Sequence, residues 1–307
     1  MSRRRPVATR IISDGGTICA LGSQRVRTVD PLQRFSLLTA NWLQYAEGPD
    51  LARDPVPAWP LEEVLDAASG AGFTSVGLDG YTLRRHVAEG GRIEDLGDTL
   101  RSRGLTCSDV GVLRLGTSGL RSDAETLAQV ASVTGARLCI AAFARPLDDD
   151  QAIAELHECA DILAPARVRL ALEFVAYSGL RLLADAAVLC KAVGWQGCGL
   201  LVDTWHFFRS GAPWSDLQSL ESERVALVHV NDGPLEPAAD PVFEGRFRRL
   251  PPGSGRFPLA EFAAALDGIA YSGPLGVEVL SDDVRRLHPR AGAQLLFDSM
   301  REAWPRP

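Results

Sequence analysis

Residues 200–211 read LLVDTWHFFRSG. An apolar run ends in Asp203; three positions later His206 sits in an aromatic stretch that stops at Gly211. A short apolar run without polar alternation is the pattern of a parallel strand buried on both faces. Working outward, similar runs recur along the chain. They are SLLTA (36–40), TSVGLD (74–79), TCSDVGVLRL (106–115), RLCIAAF (137–143), VRLALEFV (168–175), GLLVD (199–203), VALVHV (225–230) and LGVEVL (275–280). Between them lie stretches with helix-start signals. Pro60 precedes LEEVLDAA, and SDAE (122–125) has the form of a capping box before a segment stopping at Gly135. DDDQ (148–151) puts acids in a first turn, and PLAEFAAALDGIA (258–270) has apolar residues at helical spacing. Strands alternating with helices imply a parallel sheet covered by helices, and eight such units imply an α/β protein built as a single closed (β/α)8 TIM barrel. A doubly wound open sheet is the alternative, but no Gly-x-Gly-x-x-Gly follows the first strand. The reading divides the chain into an N-terminal extension over 1–34 and a barrel catalytic domain over 35–307, with a long Pro/Gly-rich loop (233–255) after strand seven.

Composition narrows the function classes. A hydrophobic content of 46% over 307 residues supports a large core without staples. The net charge of -7 disfavours a nucleic-acid partner, and the basic SRRRPVATR at the start reads as a solvated terminus. Six cysteines without a C-x-x-C pair, several inside apolar runs, suit reduced buried thiols. No apolar run approaches the ~18 residues of a membrane span, and none has the form of a secretory signal. The expectation is a soluble cytoplasmic protein with no membrane or nucleic-acid partner; homo-oligomerisation is left open.

Barrel strands turn alternate residues inward. In strand five Val168, Leu170, Leu172 and Phe174 share the outward parity, and Glu173 points into the mouth. By the same count Asp203 points inward on strand six, His229 on strand seven, opposite Ala226, Val228 and Val230, and Glu278 on strand eight. Four consecutive strands thus bring Glu, Asp, His and Glu to the C-terminal end, where this fold keeps its active sites. Each alone has a plainer reading: a strand-end Asp is usually a helix cap, a buried His a satisfied core residue, a Glu an arginine's partner. Together, three carboxylates in a narrow mouth must be neutralised. Protonation or arginine pairing would serve, and a divalent cation serves best. Three carboxylates and an imidazole suit one Mn²⁺ or Mg²⁺, with Co²⁺ or Zn²⁺ as alternatives. His206 is expected above the metal, touching substrate, rather than ligating or lying on the surface. Asn41 and Asp79, inward by parity on strands one and two, either contact substrate hydroxyls or are a polar lining without function. Trp205 either lines the pocket or packs under helices.

ALEFV, GLLVDTWHFFRSG, VHVND, RLPPGSG and GPLGVEV stand in an order that resembles the xylose isomerase-like TIM-barrel family of sugar phosphate isomerases and epimerases, nearest its 2-keto-myo-inositol isomerase and 3-dehydroshikimate dehydratase branches. The resemblance is strong over 165–285. It implies one divalent metal held by Glu173, Asp203, His229 and Glu278, with the two glutamates as acid/base partners, His206 contacting substrate and Arg249 binding it. It departs at AYSGLRLLAD after Glu173 and at LSDD after Glu278, both at the pocket rim. The implied function is isomerisation or epimerisation of a small polyhydroxy carbonyl compound (ketose, inosose or related) by proton abstraction next to a metal-bound carbonyl. A dehydratase or lyase using the same enolate chemistry, C-glycoside cleavage included, is the alternative. An endonuclease IV-like nuclease would need further histidines that strands two, three and seven lack, and a non-enzymatic binding barrel would be expected to have lost part of the ligand set.

Overall fold

A computed structural model describes residues 34–46 and 53–304. The expected N-terminal extension therefore lies, except for Arg34, outside the described residues, as does Cys19. Eight parallel strands close into a barrel. They are β1 (Phe35–Leu38), β2 (Ser75–Asp79), β3 (Thr106–Leu115), β4 (Leu138–Phe143), β5 (Arg169–Glu173), β6 (Cys198–Asp203), β7 (Val225–Val230) and β8 (Leu275–Val277). Each pairs with its neighbours in chain order, and β8 closes on β1 through Phe35–Leu275 and Leu37–Val277. The strands expected from the sequence are all present, and the barrel is a single (β/α)8 unit. Among the described residues no helix is long and apolar enough to cross a membrane.

The strands are apolar on both sides because both sides are covered. Outward residues such as Leu170, Leu172, Phe174, Leu200, Val202, Val228 and Val230 join the main core under the helices. A smaller cluster of Ile140, Ala171, Leu201, Ala226 and Leu227 plugs the interior. The inward residue two positions further along each of β5, β6 and β7 is then Glu173, Asp203 or His229, so the period-2 rule places a polar layer directly above an apolar plug. One expectation fails here. Ala226 was assigned outward but packs in the interior with Leu227. The pairing of β6 with β7 slips between Leu200 and Leu201, and this bulge breaks the alternation at that residue.

Helix boundaries correct two further readings. The helix over Leu120–Thr134 starts at Gly119, so Ser122 and Glu125 lie inside it and form no capping box; it does stop at Gly135, at φ 78°. The stretch after β7 contains a helix, Pro241–Phe247, capped by Asp240, so it is more ordered than a bare loop. Asp148 caps the helix over Asp149–Leu163 through Gln151 N–H at 2.8 Å, and Asp149 and Asp150 lie in its first turn. The five described cysteines are buried and unbridged.

Candidate functional site

Asp203 answers to both readings of its type. Its Oδ1 caps the helix Thr204–Ser210 by accepting from His206 N–H at 3.0 Å, while Oδ2 turns into the barrel. Pairing of Asp203 with His229 sets both at one level of the barrel. Glu173 ends β5, and Glu278 stands one residue past β8, its N–H still donating to Val230 at 3.3 Å. The donor atoms of Glu173, Asp203, His229 and Glu278 all lie within 4.8 Å of one another. Among the described residues these four form the one group of three or more such side chains close enough to share an ion. Gly276 makes room for them, since a Cβ there would stand 2.8 Å from His229 Cδ2.

Arg249, which the resemblance made a substrate contact, is buried against this centre. Its Nη1 donates to Asp203 Oδ2 and to Glu278 Oε2, each at 3.0 Å, and its Nε donates to the Gly245 carbonyl at 2.8 Å. Burial would lower its pKa, but the two carboxylates outweigh that and raise it. Arginine pairing thus balances two of the four groups. It cannot serve the others. Both ring nitrogens of His229 are buried without a hydrogen-bond partner, and the Glu278 oxygen nearest Nδ1 is 3.7 Å away, too far for one. A buried imidazole with no partner beside three convergent carboxylates fits a divalent cation: hard oxygen donors and one nitrogen, with an unsatisfied ligand waiting.

The ionisation states follow from the crowding. Burial, then the charges of Glu278 and Asp203, push Glu173 up to about 8. Burial raises Glu278 too, but His229 and Arg249 outweigh it and hold the carboxyl at about 2. Burial lowers His229, and the Glu278 charge reverses this to about 9. The crowding thus favours a protonated His229 beside an ionised Glu278 and the Arg249 guanidinium, with Glu173 inclined to keep its proton.

His206 stands beside the centre, next to Glu173 and Arg249. Its Nδ1 accepts from Ala176 N–H at 3.2 Å, which leaves the ring proton on Nε2. Burial lowers its pKa to about 4, so the ring is a neutral N–H donor aimed between Arg249 Nη2 (3.4 Å) and Glu173 Oε1 (3.8 Å). Both Nε2 and Arg249 Nη2 carry protons, so neither can accept from the other, and both residues line the cavity.

The other candidates fare differently. Asn41 sits in a 3-10 turn after β1 and spends its whole amide on backbone: Nδ2 to Leu38 and Val277 carbonyls, Oδ1 from Val279 N–H at 2.6 Å. It ties β1 to β8 and does not line the cavity. Asp79 lines the cavity, but its oxygens accept from Tyr81 and Thr82 N–H and from the Thr39 and Thr82 hydroxyls, so it is a helix cap. Trp205 is fully buried behind His206, with ring centroids 5.1 Å apart and its indole N–H on Glu244 at 3.0 Å; it supports the histidine instead of meeting substrate.

The structure also adds residues. Asn231 donates to Asp203 Oδ2 at 2.8 Å. Asp232 accepts from the N–H groups of Gly233, Gly253, Gly255 and Phe257, clamping the loop that carries Arg249. Gly255 is required there, because a Cβ would fall 2.3 Å from Asp232 Oδ1. Glu244, fully buried, holds Trp205, Arg209 and Ala238 N–H. Asp109 of β3 is buried and faces the cavity opposite His229's side of the barrel. VHVND carried a sequence signal for the first two, but Glu244 and Asp109 become visible only once distant segments meet. The cavity over the centre has a volume of about 730 Å³.

A profile of the family described as xylose isomerase-like TIM barrel matches residues 65–303. The chain is 28% identical over 134 residues to an inosose isomerase of Halalkalibacterium halodurans, covering 43% of this chain and 46% of the relative. It is 35% identical over 95 residues to a 3-dehydroshikimate dehydratase of Pseudomonas aeruginosa, 31% of this chain and 15% of that protein. The chain thus spans about half the length of the first of these relatives and less of the second. A crystal structure of the IolI protein with a bound zinc atom superposes at a TM-score of 0.76 and 17% identity, covering 88% of this chain and 97% of the other, which shows a shared fold.

Proposed function

We propose that this chain, which belongs to the xylose isomerase-like TIM barrel family, is a divalent-metal-dependent isomerase or epimerase of a polyhydroxy carbonyl compound, with residues 35–307 as its catalytic unit. The observation that carries the proposal is the convergence within 4.8 Å of three carboxylates and an imidazole to which no protein group is hydrogen-bonded. Glu173, Asp203, His229 and Glu278 would hold the ion. When bound, it would supply Lewis-acid stabilisation of the negative charge that develops on a carbonyl oxygen as the neighbouring proton leaves.

The chain's own residues do the rest. His206 Nε2–H and Arg249 Nη2–H donate to substrate oxygens and fix the orientation of the reacting carbons. Glu173 ends β5 and Glu278 follows β8 by one residue, so the two flank β6 and β7. One takes the proton beside the carbonyl and the other returns a proton to the adjacent carbon or the opposite face. The His206 ring, neutral and held by Ala176, remains a donor throughout. The similarity to a 3-dehydroshikimate dehydratase supports a second reading, in which the same proton abstraction is followed by loss of a β-hydroxyl.

The test is incubation of Mn²⁺-loaded protein in D₂O with ketoses, inososes and dehydroshikimate. The reading predicts deuterium at a carbon next to the carbonyl of one substrate, without loss of water; deuterium accompanied by loss of water selects the dehydratase. Binding with no exchange in any substrate overturns both.

A further inference from the structure

The two donors beside the four-donor centre, His206 Nε2–H and Arg249 Nη2–H, come from different segments. One stands on the helix Thr204–Ser210 and the other beyond β7, and 3.4 Å separates the two nitrogens. Both residues rest on the Trp205 indole. The His206 ring meets it edge to face, with centroids 5.1 Å apart, and the Arg249 guanidinium carbon lies 5.6 Å from its ring centroid. The placing of both donors therefore depends on what holds the indole.

Glu244 holds it. Its Oε1 accepts from the indole N–H at 3.0 Å and from Arg209 Nε at 2.6 Å, and its other oxygen accepts from Ala238 N–H. Arg209 in turn donates through Nη2 to the Pro234 carbonyl at 2.7 Å. One buried carboxylate thus joins the helix after β6 to the segment between β7 and β8. A buried ion pair with both carboxylate oxygens hydrogen-bonded has little freedom, because moving either partner strands a charge away from water. The same helix, Pro241–Phe247, supplies the Gly245 carbonyl that takes Arg249 Nε at 2.8 Å. Gly245 lets this helix come close: a Cβ there would lie 2.9 Å from Tyr177 Cε1 and 3.2 Å from Trp205 Cη2.

We propose that Glu244 is a positioning residue for both donors: paired with Arg209, it fixes the Trp205 indole, and the indole keeps the His206 ring on Ala176 N–H and the Arg249 guanidinium on the Gly245 carbonyl. The proposal rests on the function proposed above in taking His206 and Arg249 as the groups that orient substrate. Glu244 touches no reacting atom; it acts by removing rotamers that the two donors would otherwise sample before each encounter. Val242 and Arg246 of the same helix line the cavity, so seating that wall and setting the two donors are one event.

Amide hydrogen exchange is followed in the wild type, Glu244→Ala, Trp205→Phe and the double variant, in EDTA and without substrate. Trp205→Phe keeps an aromatic ring and removes the N–H handle, which keeps the test open should Glu244→Ala not fold. The Ala176 N–H, which donates to His206 Nδ1 at 3.2 Å, is expected to exchange about tenfold faster in each single variant, the loss of roughly one hydrogen bond. The double variant should be no faster, because both changes break the same link. Leu170 N–H, which donates to the Gly197 carbonyl at 2.9 Å near the start of β5, registers general loosening. An Ala176 rate that rises no more than that of Leu170 gives Glu244 a merely structural role and overturns the proposal, as do effects that add in the double variant. In the D₂O assay with Mn²⁺, the variants should lose rate at saturating substrate by one common factor, and full turnover in either single variant also overturns the proposal. No exchange into any substrate by the wild type, beside the expected Ala176 response, refutes the proposed function alone; an unchanged Ala176 rate beside wild-type turnover refutes the positioning role alone.

Discussion

On the proposed function, Arg249 and a divalent ion would be alternative counter-charges for the same carboxylates, and replacing the arginine by methionine tests this. The side chain is 2% exposed, and its Nη1 lies 3.0 Å from both Asp203 and Glu278. Methionine keeps an unbranched apolar stem, so little packing is lost. Without metal, Arg249→Met leaves two buried carboxylates short of a cation. Removing one member of a buried ion pair costs about 3–5 kcal/mol. For a domain of about this size the unfolding entropy is roughly 0.6 kcal/mol/K, so Tm in EDTA should fall by about 5–9 °C. With Mn²⁺ bound, the ion supplies the missing charge. What remains is the lost hydrogen bond to Gly245 and the contact over the Trp205 ring at 5.6 Å, together roughly 1–2 kcal/mol, or about 2–4 °C. The assay is thermal unfolding of both proteins in EDTA and in saturating Mn²⁺. An equal drop in the two conditions, or no stabilisation of the wild type by Mn²⁺, refutes the shared-charge argument.

Three further outcomes are expected. Glu173 and His229 are held protonated at neutral pH, at about 8 and about 9, and both must lose their protons to ligate. Metal uptake near pH 6–7 should therefore release close to two protons per ion. Apparent affinity should rise about 100-fold per pH unit there and level off above about pH 9, read by calorimetry in buffers of different ionisation enthalpy; uptake without proton release contradicts the assigned states. Glu278→Gln should abolish turnover and weaken Mn²⁺ binding by at least about tenfold, measured by deuterium exchange and metal titration, because it removes both a ligand charge and one of the two proton carriers. Gly276→Ala forces a methyl against His229 Cδ2 and Leu38 Cδ2, at 2.8 and 2.7 Å. It should cost about 1–3 kcal/mol, roughly 2–5 °C in Tm, and weaken Mn²⁺ binding; unchanged values for both would show that the imidazole has room to move.

The barrel and the four convergent donors were legible in the sequence because each depends on local periodicity. Runs such as VRLALEFV and GLLVD announce strands covered on both faces, and a period of two decides which residue of each turns inward. The same rule failed at Ala226, where a slip in pairing between two strands, invisible in either alone, reversed the direction. Asn41 and Asp79 were placed by parity as well, but Asn41 lies in a turn past the end of β1, where parity no longer applies, and for Asp79 parity gives direction and not occupancy. Backbone groups of β8 and of the helix after β2 had already claimed their polar atoms. Trp205 shows the same limit, since its indole N–H is spoken for by Glu244, 39 residues away.

What the sequence by itself determined is therefore the closed barrel and the set of residues at its mouth, both written in spacings of two residues along single strands. Tertiary structure alone decided how those residues are charged and which are free to act. Arg249 reaches Asp203 from 46 positions away. Ionisation and hydrogen-bond occupancy depend on every group within a few ångströms, and closing the chain into a cylinder makes neighbours of groups that no local pattern links.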